Sequence, residues 1–366
     1  MRGYALKIGR YEVPYPVIQG GMGVRISAGR LAGSVARCGG VGIVASAGLG
    51  LDNPKFTGGN FFETDALELK NELKKAYEIA PDGIIGTNCM AVVTDYADNV
   101  RASCEGGAKI IISGAGLPLS LPKLTEDFPE VALVPIVSSV KAIQLIVRKW
   151  LKNYQRLPDA VVVEDPDTAG GHLGDKLENI CSGAYDQYAT VRGVKAFLQE
   201  AGGDHIPVIA AGGVWDRNDL LYALEQGADG VQMASRFVCT EECDAADSYK
   251  QAYLECTQAD IGLMMSPVGL PGRAIVKNIP NIHQHDRDAE FICPVKCLKK
   301  CSYRECGERF CIVHALNRAQ HGNVDTGLIF CGSNAWKADR ISTVSEIFTE
   351  LFEIGSVDLD VRVENG

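Results

Sequence analysis

Eight short, continuously apolar runs punctuate the chain, at Pro16–Gln19, Gly42–Ala45, Gly83–Thr87, Lys109–Ser113, Ala132–Val137, Ala160–Glu164, Pro207–Ala210 and Gly230–Ala234. Turn formers bound them: Gly, Pro, Asn or Ser. A strand with one face in water alternates polar and apolar residues; these runs do not. They read as strands covered on both faces, as in a parallel sheet. Segments with helical character lie between them, at Ser27–Cys38, Ala66–Ile79, Ser139–Leu151, Tyr185–Glu200 and Arg217–Gln226. In the third, Val140, Ile143, Ile146, Val147 and Trp150 fall at helical spacing. Strand and helix in alternation predict an α/β fold, a closed (β/α)8 TIM barrel, with an open doubly wound sheet as the competing arrangement. Such a barrel uses about 250 residues, and the chain has 366. The expected division is a barrel over 1–275 and a Cys-rich helical extension over 276–366. Cys243–Cys256 is the candidate eighth barrel helix, Pro267–Gly272 a loop, and Phe310–Gln320 and Val344–Phe352 the helical parts of the extension.

The formal net charge of −10 and the lack of a broad basic stretch argue against a nucleic-acid partner, because phosphate binding needs clustered cations. Met1 to Tyr15 has no apolar run ahead of a small-residue cleavage site, and no segment approaches the ~20 apolar residues of a membrane span. A cytoplasmic protein is expected. Of 13 cysteines, Cys38, Cys89, Cys104, Cys181, Cys239, Cys243 and Cys256 are scattered and read as small buried hydrophobes in a reducing compartment. Five more, Cys293, Cys297, Cys301, Cys306 and Cys311, crowd one segment, and Cys331 follows. Thiolates at this density suit zinc or an iron–sulfur cluster, although the spacings are not the common C-x2-C. A packed, reduced thiol patch is the alternative. If a metal is bound, Cys293, Cys297 and Cys301 are the expected ligands, with Cys306 or Cys311 as a fourth. The apolar residues Phe291, Ile292, Phe310, Ile312, Val313, Leu316, Leu328, Ile329 and Phe330 require this segment to dock, and a docked tail is a candidate lid.

Barrel enzymes build their sites at the C-terminal ends of the strands. Strand one runs into Gln19-Gly20-Gly21-Met22-Gly23, where missing Cβ atoms let backbone approach a ligand. Strand three ends at Asn88, whose amide both donates and accepts. Strand six is followed by Asp165-Pro166-Asp167-Thr168-Ala169-Gly170-Gly171-His172. A His set among glycines is poorly placed for core packing and well placed to exchange a proton with a ligand near neutral pH. Gly212-Gly213 and Gln232-Met233-Ala234-Ser235 end the last two strands, where barrels commonly hold phosphate on backbone N–H groups. Each motif taken singly also reads as a turn; their order at successive strand ends is the informative part.

Pro16-Val17-Ile18-Gln19-Gly20-Gly21-Met22-Gly23, Ala169-Gly170-Gly171-His172, Ala211-Gly212-Gly213, Gly230–Phe237 and Ser266–Ala274 together resemble the nitronate monooxygenase (2-nitropropane dioxygenase) family, related to flavin-dependent enoyl-acyl-carrier-protein reductases. The resemblance runs in order from about residue 10 to 275. It implies an FMN cofactor, with Gly21, Met22 and Gly23 near the isoalloxazine ring. It implies Asn88, Asp165, Ala169 and Gly170 at the flavin or ribityl chain. Gly212, Gly213, Gln232, Met233, Ala234 and Ser235 would sit at the phosphate, and His172 would be the catalytic residue. Asp165 stands where relatives often carry Gln or Glu. The expected activity is oxidation of alkyl nitronates by oxygen. The alternatives are an NAD(P)H-dependent enoyl-thioester or quinone reductase and, in another class, a non-catalytic flavin- or metal-binding redox subunit. Expected partners are a small-molecule substrate and, on the reductase reading, NAD(P)H; a homodimer is expected.

Overall fold

Every one of the eight apolar runs forms a strand, and the strands close on themselves. The computed structural model describes residues 5–288, 293, 295–306 and 310–352, with the side chains of Asp288 and Cys306 outside that description. A hairpin, β1 (Leu6–Ile8) and β2 (Tyr11–Val13), comes first. The barrel strands are β3 (Val17–Gln19), β4 (Val41–Ala45), β5 (Ile84–Met90), β6 (Ile110–Gly114), β7 (Ala132–Val137), β8 (Val161–Glu164), β10 (Val208–Ala211) and β11 (Gly230–Met233). They are parallel and close in the order β10-β11-β3-β4-β5-β6-β7-β8. The open doubly wound sheet is thereby ruled out. Ile18, Ile43, Ile110, Val134, Val162 and Ile209 fill the interior, and Ile8 and Val13 of the hairpin join that cluster. The barrel is thus a packed core plugged by the hairpin, which leaves the C-terminal mouth for a site.

The helices α1 (Gly29–Arg37), α2 (Phe61–Ile79), α3 (Tyr96–Glu105), α4 (Leu121–Leu124), α5 (Val140–Tyr154), α6 (Gln187–Glu200) and α7 (Arg217–Glu225) cover the outside. Gly42 shows how tight this layer is: a Cβ there would lie 1.8 Å from the Ala32 carbonyl oxygen, so α1 rests directly on the β4 backbone. Short α8 (Ser235–Val238) follows β11, and then α9 (Asp247–Leu254). The sequence suggested Cys243–Cys256 as the eighth barrel helix. The element that packs against both α7 and α1 is instead α13 (Val344–Phe352), from the far end of the chain. Its heptad-like run of Val344, Ile347, Phe348, Leu351 and Phe352 gives the wide apolar face such a slot needs, whereas α9 faces the Ala335–Lys337 turn.

A second sheet lies over the mouth. It pairs β9 (Gly171–His172) with β13 (Pro271–Ile275), and β13 with β12 (Ile261–Met265), all antiparallel. The sequence showed Pro267–Gly272 as a loop but not the two strands around it. The extension adds α10 (Ile279–Asp288), α11 (Ser302–Cys306) and α12 (Ile312–Gln320). Phe310, Ile312, Val313, Leu328 and Ile329 are buried, so the segment docks on the barrel. Phe291 and Ile292 lie outside the described residues. No described helix is long and apolar enough to cross a membrane.

Candidate active site

The strand-end loops surround a cavity of about 260 Å³, many times the volume of a water-sized void. Gly21, Met22, Gly23, Asn88, Ala169, Gly170, His172, Gly212, Gly213, Gln232, Met233, Ala234 and Ser235 all line it. These residues come from five strand ends and loops spread along the sequence, and the closed barrel is what brings them together.

Close backbone contacts shape the walls. The Gly20 N–H donates to the Met233 carbonyl at 2.8 Å, tying the loop after β3 to the end of β11. A Cβ on Gly21 would lie 2.4 Å from the Asn88 Cβ, and one on Gly170 would lie 2.4 Å from the Cys331 carbonyl carbon. Gly212 and Gly213 have φ of 103° and 74°, the left-handed region, which turns the chain away from β10 without crowding the cavity.

Asp165 is not in the wall. Its Oδ1 accepts the Asp167 N–H at 2.8 Å and its Oδ2 accepts the Thr168 hydroxyl at 2.6 Å, so the carboxylate is used to fold its own loop. Asp65 and Asp95 supply carboxylates to the wall, and so does Glu164, the last residue of β8. Burial, and secondarily the Asp165 charge, raises it to about 7. Arg273 of β13, itself buried, donates to the Pro166 and Ala169 carbonyls and clamps the loop that carries His172.

His172 is held from three sides. Its backbone pairs with Gly272 in the upper sheet, its Nε2 lies 2.8 Å from Ser266 Oγ, and the Phe330 ring meets its edge at 5.1 Å. Burial lowers its pKa to about 4, so the ring is neutral at physiological pH.

Several polar groups face the cavity unpaired. Gln232 Oε1 is buried without a partner. The Asn88 amide and the Glu164 carboxylate line the cavity and make no hydrogen bond among the described residues. Buried polar groups are normally satisfied, so this set marks a space for a polar ligand.

The extension supplies one wall. Cys297, Ile312, Leu316, Phe330, Gly332 and Asn334 line the cavity. The Gly332 N–H donates to Ser235 Oγ at 2.8 Å, and Asn334 Nδ2 donates to the Gly213 carbonyl at 2.7 Å. Neither contact is visible in sequence, because the partners are about a hundred residues apart. Cys297 and Cys311 pack in one cluster. Burial, then the thiols of Cys311, Cys293 and Cys301, pushes the Cys297 thiol well up. Cys293, Cys297, Cys301 and Cys311 are free thiols, and among the described residues no three His, Cys, Asp or Glu side chains are arranged to hold a metal ion. The Cys306 side chain lies outside the described residues.

The sequence profile described as nitronate monooxygenase matches residues 5–353. The (3aS,4S,5R,7aS)-5-hydroxy-7a-methyl-1-oxo-octahydro-1H-indene-4-carboxyl-CoA dehydrogenase of Mycobacterium tuberculosis is 27% identical over 263 residues, 72% of this chain and 63% of that protein. The dehydrogenase of the same name from Rhodococcus jostii is 28% identical over 75% of this chain and 66% of its own. The match therefore spans somewhat under two thirds of those two relatives. A probable nitronate monooxygenase of Bacillus subtilis is 29% identical over 73% of this chain and 78% of its own. Among solved structures, FabK from Thermotoga maritima superposes with a TM-score of 0.67 at 23% identity, covering 95% of this chain and 94% of that one. A nitroalkane oxidase from Streptomyces ansochromogenes gives 0.66 at 18% identity, covering 93% and 96%. These two likenesses concern the fold. The profile match over nearly the whole chain shows that the protein belongs to the nitronate monooxygenase family of oxidoreductases.

Proposed function

We propose that the chain is an FMN-dependent oxidoreductase that oxidises alkyl nitronates with oxygen. The observation that carries the cofactor is the cavity wall. Unpaired Asn88, Glu164 and Gln232 groups face a space lined by Gly20, Gly21, Gly23, Gly170, Gly212 and Gly213. The residues present fit a flavin mononucleotide. Gly213 and Gln232 to Ser235, with the Gly332 segment beside them, would hold the phosphate, and the loops at Gly21, Asn88 and Glu164 would border the ring. The bound flavin would supply the electron acceptor that none of the twenty side chains provides. The chain's own residues bind, orient and exclude water: Arg273 and β13 hold the His172 loop, and Phe330 and Cys331 close the cavity over it. His172 is the group proposed to act on the substrate.

A second reading is a reductase of unsaturated thioesters using NAD(P)H. It is supported by the two dehydrogenase relatives, whose names specify a CoA thioester. Mass spectrometry of the heat-released cofactor tests the flavin; FAD, or no flavin after reconstitution, overturns the assignment. Adding a nitronate, NADH or NADPH in turn to the oxygen-free protein separates the readings, because only the true electron donor bleaches the flavin. The cysteine segment is tested by iron and zinc analysis after anaerobic purification. About one equivalent or more shows a bound metal, for which Cys293, Cys297, Cys301 and either Cys306 or Cys311 are the proposed ligands; below about a tenth of an equivalent leaves packed thiols, since structural sites are normally filled.

A further inference from the structure

Ser266 and His172 are 94 positions apart and meet behind the cavity wall. Ser266 is fully buried and does not line the cavity. Its Oγ has two bonding neighbours among the described residues: His172 Nε2 at 2.8 Å and the Val268 N–H at 3.3 Å. A backbone N–H only donates, so it takes a lone pair of the hydroxyl. The single hydroxyl proton then has one acceptor in reach, the Nε2 lone pair. The reverse arrangement, with Nε2–H donating to Oγ, loads the oxygen with two donors. It leaves a buried hydroxyl proton without any acceptor, which folded proteins avoid. Proton positions are fixed by this bond network.

We infer that Ser266 fixes His172 as the neutral tautomer with its proton on Nδ1, and that His172 serves this site as an N–H donor to a substrate oxygen rather than as a base. The inference rests on the proposed placement of His172 at the substrate. His172 lines the cavity, and its Nδ1 makes no bond among the described residues. No charged group acts on the ring; its surroundings are Ser266, the Phe330 edge and buried backbone, which hold its pKa near 4. An imidazole that works as a base gains from a carboxylate that stabilises the imidazolium, and burial without one does the opposite. A fixed, neutral N–H in a water-poor site instead favours negative charge on oxygen. Ser266 is the positioning residue. The substrate class is a molecule whose reacting carbon is conjugated to an oxygen that carries or develops negative charge. A nitronate oxygen and the carbonyl of an unsaturated thioester both qualify. A neutral nitroalkane, whose C–H must first lose a proton to a base, does not.

Long-range 15N–1H spectra of the flavin-loaded protein, labelled in its histidine rings, read the tautomer directly. The resonances absent from His172→Ala identify His172. The expected result between pH 6 and 8 is a protonated Nδ1 and an unprotonated Nε2, with Nε2–H appearing in Ser266→Ala and disappearing again in Ser266→Thr. Nε2–H in the wild type, or an imidazolium at pH 7, overturns the inference. With the substrate that proves active, Ser266→Ala is expected to lose kcat with little change in KM, the direction that follows loss of a tautomer-fixing partner, and Ser266→Thr to recover most of it. Nitronate oxidation without nitroalkane oxidation supports the donor role, and equal rates on both overturn it. If neither compound is oxidised, the nitronate reading fails while the tautomer spectrum still decides this one.

Discussion

At the scale of single residues, the pH response separates two groups in the wall. His172 has a folded pKa near 4 against an ordinary value of about 6.5. Between those values the unfolded chain takes a proton that the native site refuses. The associated stability is intact above pH 6.5 and falls away as pH drops toward 4. The wild-type melting temperature should therefore fall more steeply over that window than that of His172→Ala. The same variant should keep its flavin and lose about 10²- to 10³-fold in turnover, the usual cost of removing one positioned donor to a developing oxyanion; unchanged kinetics in a fully loaded sample make His172 structural. Glu164 behaves oppositely. Its pKa is raised to about 7, so the native state keeps a proton that the unfolded chain has lost, and stability declines as pH rises from about 4.5 through 7. An inflection near pH 7 in flavin affinity is expected, absent in Glu164→Gln and retained in His172→Ala; a wild-type affinity flat across that range counts against it. The sequence named Asp165 for the cofactor, whereas the residue of the Glu164-Asp165 pair in the cavity wall is Glu164, one position away. Asp165 and Glu164 are adjacent, and neighbours on a strand point to opposite sides. Asp165-Pro166-Asp167-Thr168 is a turn sequence whose first carboxylate is used locally. The local use of Asp165 leaves Glu164 as the member of this pair that lines the cavity.

At the scale of elements, the upper sheet and the tail decide how the His172 loop is held. The barrel strands were legible because burial on both faces forces unbroken apolar composition. The strand β13 was not, because Pro271-Gly272-Arg273 breaks the apolar run and its pairing with β9 is long-range, and β12 pairs only with β13. Arg273 illustrates the difficulty: a buried guanidinium in a strand has meaning only once the Pro166 and Ala169 carbonyls are known to face it. Two adjacent glycines test the packing of this layer. Gly171 has φ of 74° and lines the cavity with no protein atom near its Cβ position, so Gly171→Ala meets no protein clash and costs backbone strain of about 1–2 kcal/mol. Gly170 meets the Cys331–Gly332 backbone on its Cβ side, so Gly170→Ala must displace the tail, an overpacking cost of about 1–3 kcal/mol. The expected outcome is a lower melting temperature and faster flavin loss in Gly170→Ala than in Gly171→Ala. Equal effects of the two substitutions mean that the tail does not press on the loop.

At the scale of the whole molecule, the chain's far end completes what its beginning starts. The sequence divides naturally at the end of the strand-helix alternation, yet α13 fills the slot between α7 and α1, and Phe348 would meet a Cβ on Gly40 at 2.7 Å. The reason the sequence hid this is that an amphipathic helix declares a face to bury but not the surface that receives it. The energetics make the dependence testable. Val344, Ile347, Phe348 and Leu351 are at most 1% exposed and Phe352 is 7% exposed. Burying side chains of this size stabilises by about 1.5–3 kcal/mol each, so the helix carries on the order of 10 kcal/mol. A typical domain has only about 5–15 kcal/mol in total. A chain ending at residue 343 leaves that face of α1 and α7 in water and also removes Glu350, which pairs with Arg236 beside Ser235. Such a chain is expected to be insoluble, or to melt without a cooperative transition and to lose the flavin, as followed by calorimetry and by absorbance after gel filtration. Cooperative melting within a few degrees of the full protein, with flavin retained, would show instead that residues 5–343 fold on their own and that α13 is an ornament on a barrel already closed.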